Sequence, residues 1–157
     1  MHFYLEGAVL LALAVAATLA SVVRARDAAA RGERRRLLRQ PELLVVAVGL
    51  ILALTLIPSS GSSRLVLDPL HGASGLGVVG NVLLFMPLGA VLSMRSWPVA
   101  RSTLTGLALS VAIELVQLAI PGRWSTTDDV LVNTVGTFLG WQVGSRVLAR
   151  IAYAREM

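Results

Sequence analysis

The chain has 157 residues, 55% of them hydrophobic and 15% charged, with no cysteine and a formal net charge of +5. That is one domain's length and too apolar for an ordinary soluble domain, so the composition indicates an integral membrane protein. Absence of cysteine excludes a disulfide framework, a thiolate nucleophile and a Cys-based zinc site. All 14 basic residues are arginine, and they lie between apolar runs rather than in one aromatic-studded patch, which argues against a nucleic-acid partner.

The first apolar run, residues 7–23, is uncharged and about long enough for a hydrocarbon core of about 30 Å. Only His2 and Glu6 precede it and the arginines follow it, so it reads as a retained first helix rather than a cleaved signal. Residues 24–40, RARDAAARGERRRLLRQ, hold seven arginines against Asp27 and Glu33 and form the strongest orientation signal in the chain. They mark a cytoplasmic loop held near anionic headgroups. Pro41 suits the first turn of a second helix, whose apolar run, residues 43–57, ends at Pro58.

Residues 58–75, PSSGSSRLVLDPLHGASG, read as a loop on the opposite side, carrying Arg64, Asp68 and His71. His71 has no second histidine nearby and no cysteine, so it reads as a solvated loop residue rather than a ligand or base. Gly75, Gly77 and Gly80 fit the dinucleotide fingerprint in letter only, because no strand precedes them and no acid follows about twenty positions on. A third run, residues 76–94, contains Asn81 and Pro87, and the proline predicts a kink. Arg95, Trp97 and Arg101 then mark the cytoplasmic interface.

The fourth run, residues 102–120, carries Glu114 and Gln117 on one helical face. An ionised carboxylate in mid-membrane costs about 2.5–3.5 kcal/mol on insertion scales, so Glu114 is expected to face protein or water. The following loop, PGRWSTTDD, supplies Arg123, Asp128 and Asp129. The fifth run, residues 130–145, begins near Asn133 and carries Gly136, Gly140 and Gly144 at four-residue spacing, a helix-packing row expected to draw the fourth and fifth helices together.

Five helices with the N-terminus outside and the C-terminus cytoplasmic put twelve of the fourteen arginines inside. The expected fold is therefore an all-α integral membrane protein, one domain over residues 1–157. Asn81, Glu114, Gln117, Arg123, Asp129 and Asn133 then fall near the extracytoplasmic face. They form either a polar lock between helices or a site for a polar headgroup, with Arg123 able to pair with Glu114 or Asp129. The loop lacks the Asp-x-Asp-x-Asp-Gly pattern of a calcium site, so no metal is expected, and no cofactor is implied.

Several of these pieces, in order, resemble the VanZ-like family of small bacterial membrane proteins, named for a protein associated with teicoplanin resistance. They are NVLLFMPLG at 81–89, Glu114-Leu-Val-Gln117, and Arg123 followed by Asp129, Val130, Asn133, Thr134, Gly136 and Gly140. The resemblance covers about 60 residues, within a motif-bearing part at residues 76–145. It implies a multi-helix membrane fold, a link to the cell envelope and glycopeptide tolerance, and a polar site at Asn81, Glu114, Gln117, Arg123, Asp129 and Asn133. Thr126 departs from the aspartate the family often carries there. The family brings no settled reaction, which leaves three expectations. The first is a binder of membrane lipid, a lipid-linked precursor or a glycopeptide. The others are an enzyme using Glu114 as acid or base, for which Ser125, Thr126 and Thr127 offer hydroxyls without a nearby base, and a scaffold.

Overall fold

The structure is a computed structural model, and it describes residue 23 and residues 41–56, 64–66, 75–120 and 124–153. In chain order these form α1 (Pro41–Thr55), β1 (Arg64–Val66), α2 (Gly75–Met94), α3 (Val99–Gln117), β2 (Trp124–Thr126) and α4 (Thr127–Tyr153). The four helices correspond to the second to fifth apolar runs. The first run up to residue 22 and the arginine-rich stretch 24–40 lie outside the described residues. α1 begins at Pro41, where a missing N–H would be unpaired in any case, with Glu42 in its first turn. α2 runs as one helix through Pro87, the site of the expected kink.

Two segments read as loops contain strands. Arg64–Val66 and Trp124–Thr126 pair in parallel, with Arg64 opposite Trp124 and Val66 opposite Thr126. α2 and α3 together form the crossover that parallel pairing needs. Three-residue strands are too short to show a period-2 pattern.

α2 is the central helix and touches α1, α3 and α4. Ile51 of α1, Leu84, Phe85, Leu88 and Leu92 of α2 and Ile113 of α3 form the apolar core. Along its other side α2 meets the glycine row of α4. A methyl group on Gly136 would sit 2.5 Å from the Val82 carbonyl oxygen, one on Gly140 would press on the Met86 backbone, and one on Gly144 would lie 3.0 Å from the Ala90 carbonyl oxygen. Gly89 reciprocates, with its own missing methyl against the backbone of Thr137 and Trp141. The opposed numbers rise together, so α2 and α4 run parallel. The glycine row thus docks the third-run helix and not the fourth-run helix expected from the sequence. α3 instead runs antiparallel to α4 and meets it through Thr137 against Gly106 and Asn133 against Ser110.

α3 has the reverse polarity of a water-facing helix. It buries Ser102, Gly106, Ser110, Glu114 and Gln117, with Ile113 as the one large aliphatic among its buried residues, and exposes Leu104, Val111, Leu115 and Val116, as well as Leu118 just past its end. In water each exposed aliphatic would forgo about 1.5–3 kcal/mol of burial. In hydrocarbon that face costs nothing, while polar groups belong inside. Two of the described helices are long and apolar enough to span a membrane: Gly77–Met94, mean hydropathy 1.8, and Val99–Gln117, mean hydropathy 1.5.

The α2–α3 turn closes as a Schellman motif. Ser96 takes a left-handed conformation at φ 60°, its N–H donates to the Ser93 carbonyl at 2.9 Å, and the Trp97 N–H donates to the Leu92 carbonyl at 3.2 Å. The Trp97 ring packs on the core that contains Leu92, the apolar contact that accompanies this motif.

Candidate functional site

The polar candidates gather where α4 begins. Thr126 is its N-cap: the Oγ1 accepts the Asp129 N–H at 3.0 Å. In a capping box the side chain three positions on would return the favour by accepting the N-cap N–H. Here Glu114 of α3 does so, its Oε2 accepting the Thr126 N–H at 2.9 Å. Asp129 is thereby left to accept a hydrogen bond from Asn81 Nδ2 of α2. One helix end joins three helices, and the carboxylates of Glu114, Asp128 and Asp129 lie where the helix dipole is positive.

Gln117 and Asn133 face elsewhere in the bundle. Gln117 Nε2 donates to the Thr55 carbonyl at 2.7 Å, tying the end of α3 to the end of α1. Asn133, one turn into α4, donates from Nδ2 to Ser110 Oγ at 2.8 Å, and its backbone carbonyl accepts the Thr137 hydroxyl at 3.1 Å. Asp128 and Asn133 are buried, as are Glu114 and Gln117. Arg123 and His71 lie outside the described residues.

A cleft of about 280 Å³ opens between α3 and the start of α4. Val111 and Leu115 of α3, Leu118 just past its end and Val130 of α4 line it with aliphatic carbon, while Glu114, Ser125, Thr126 and Thr127 supply its polar lining. Of the described sequence-derived site residues the cleft brings in Glu114 alone; Asn81, Gln117, Asp129 and Asn133 are not among its lining residues. Its apolar wall escaped the sequence reading. The signal was there in Val111, Leu115 and Leu118, which follow the helical repeat beside Glu114.

Family comparison extends the match well beyond those motifs, since the family model described as VanZ/LLP1 matches residues 8–151, nearly the whole chain. The chain belongs to the VanZ/LLP1 family. Neither a curated protein nor a solved structure matches it. Membership in VanZ/LLP1, together with two membrane-capable helices, points to a membrane protein.

The N-cap geometry also accounts for the departure at Thr126 in this VanZ/LLP1 chain. Aspartate and threonine are both good N-caps, because each places an oxygen acceptor where the third helical N–H can reach it. Thr126→Ala is expected to cost about 1 kcal/mol of stability and Thr126→Asp to hold it within about 0.5 kcal/mol. Thermal unfolding of the two purified variants in one detergent checks this, and equal losses would contradict the capping role.

Proposed function

We propose that this VanZ/LLP1 protein is a multi-pass protein of the bacterial cell membrane that holds the polar part of an amphiphile at the outer leaflet and contributes to glycopeptide (teicoplanin) tolerance. Five membrane helices, an external N-terminus and a cytoplasmic C-terminus are favoured by the arginine distribution, with twelve of fourteen on one side. Because the chain has no cysteine, single replacements report topology directly. In intact cells Thr127→Cys is expected to react with a membrane-impermeant thiol reagent and Arg150→Cys only after lysis. The opposite pattern would invert the orientation.

The observation that carries the binding reading is a carboxylate, with three hydroxyls beside it, lining a cleft whose other walls are aliphatic and continue onto the exposed apolar side of α3. Such a cleft suits a ligand with a hydrogen-bonding head and an apolar tail. Its volume, about 280 Å³, lies just below the range of whole drug-sized ligands, so it fits a headgroup or one arm of a larger molecule rather than an entire glycopeptide. In this reading Glu114 and the hydroxyls beside it meet the head, and Arg123, three positions before Thr126 in the sequence, is the cation proposed for its anionic groups. Asn81, Gln117, Asp129 and Asn133 keep the surrounding helix ends in place. The test is Glu114→Gln, which preserves shape and an oxygen acceptor but removes the ionisable group. Normal accumulation with lost teicoplanin tolerance is the expected result; full tolerance in that variant would overturn the reading.

A further inference from the structure

At the end of the bundle away from Glu114, arginines converge from two elements. Arg95 and Arg101 flank the α2–α3 turn, and Arg146 and Arg150 lie one turn apart on α4. Packing of Gly144 on Ala90 and Ser93 sets that part of α4 beside the turn, and a hydrogen bond from Trp141 Nε1 to the Trp97 carbonyl at 2.9 Å fastens it. Trp97 is also fixed through its own N–H and its ring, by the Schellman turn and the core. Over that immobilised ring lies the Arg101 guanidinium, 3.9 Å from the ring centroid.

We propose that this end of the bundle, centred on the Arg101–Trp97 stack, binds the phosphate of an anionic phospholipid. Stacking occupies the face of a guanidinium and leaves its in-plane N–H fork directed outward, the geometry that meets phosphate in bidentate fashion. Helix stability does not explain Arg101, because it stands in the first turn of α3, where a cation opposes the helix dipole. Arg95 and Arg150, by contrast, sit at helix C-terminal ends and suit the dipole there. Arg101, Arg146 and Arg150 are exposed and Arg95 is half-buried.

Among the described residues the charge at this end is mainly positive, four arginines against Glu42. The described carboxylates of Glu114, Asp128 and Asp129 cluster at the other end. Glu42, at the start of α1, belongs to this side, since the far end of α1 is held by Gln117 beside the cleft. The partner is a lipid rather than a free phosphate because exposed apolar side chains lie one turn from Arg101 and from Arg146. Leu104, one turn from Arg101, and Val143, one turn before Arg146, are both exposed toward the middle of the bundle. A phosphate at the arginines would lay its acyl chains along them.

The proposal rests on the helices spanning a bilayer, and its test separates the two ideas. The full chain is reconstituted in nanodiscs of phosphatidylcholine mixed with phosphatidylglycerol, and the lipids retained on the released protein are counted by native mass spectrometry. The wild type is expected to retain phosphatidylglycerol preferentially. Arg101→Gln and Arg146→Gln should each lower that preference about fivefold. Arg101→Lys, which keeps the charge and loses the planar fork, should lose much of it too. Equal retention of both lipids by the wild type, or full preference in Arg101→Lys, would overturn the site while leaving the membrane reading intact. A chain that does not enter the bilayer would overturn both. Circular dichroism of each variant confirms that the helices persist. Added inorganic phosphate should leave the preference unchanged, and its loss at millimolar phosphate would reassign the site to a free anion and overturn the lipid proposal.

Discussion

Gly140→Ala is expected to be, with Gly89→Ala, among the most damaging single-methyl changes at the described glycines, costing about 3 kcal/mol or more and sharply lowering the amount that accumulates. The reason is what the methyl would meet. Its position falls on the Met86 carbonyl and 2.7 Å from the Met86 Cα, which is backbone and cannot rotate aside. Gly136 and Gly144 oppose Val82 and Ala90 in the same register, so relief at Gly140 requires α2 and α4 to separate along three turns. That separation would strain the Asn81–Asp129 bond at one end and the Trp141–Trp97 bond at the other. Gly49 and Gly80 provide the contrast: a methyl on either meets nothing within 4 Å, and alanine there should be neutral or stabilising by up to about 0.5–1 kcal/mol. Thermal unfolding of the three purified variants measures the difference. A Gly140→Ala protein as stable as the wild type would mean that the helices are not in this close contact.

The same glycine row illustrates how far sequence carries. Four-residue spacing identifies a face that packs closely, but periodicity belongs to one helix and cannot name its partner. Val82, Met86 and Ala90, the residues opposite, have no shared small-residue signature. Helix positions were legible because prolines and arginines bound the apolar runs: Pro41 opens α1, and Arg95 through Pro98 separates α2 from α3. Glu114 was legible as a carboxylate that had to face protein or water rather than lipid. Its bond to the Thr126 backbone was not, since every non-proline residue carries the same N–H and only the fold decides which one is near. Thr126 itself looked like a loss because side-chain identity was compared, whereas the cap depends on an oxygen that threonine and aspartate both provide. Asn81 and Asp129, 48 positions apart, meet only because α2 and α4 run parallel.

Because Glu114 both caps α4 and lines the cleft, its two roles should come apart by substitution. Glu114→Ala is expected to lose about 1–3 kcal/mol, the cost of leaving the part-buried Thr126 N–H without its acceptor. Glu114→Gln retains a side-chain oxygen at the same reach and should stay within about 1 kcal/mol of the wild type. Amide exchange offers a local readout: protection at Thr126 should collapse in the alanine variant and largely persist in the glutamine variant. If both variants unfold alike, the ionised form itself holds α3 to α4, and the residue is chiefly a lock. If glutamine preserves exchange protection while teicoplanin tolerance is lost, the charge serves something other than the cap. That outcome would support the proposed binding of an amphiphile head in the cleft. The glutamine variant therefore separates a binding carboxylate from a structural one, and the alanine variant supplies the stability loss against which it is judged.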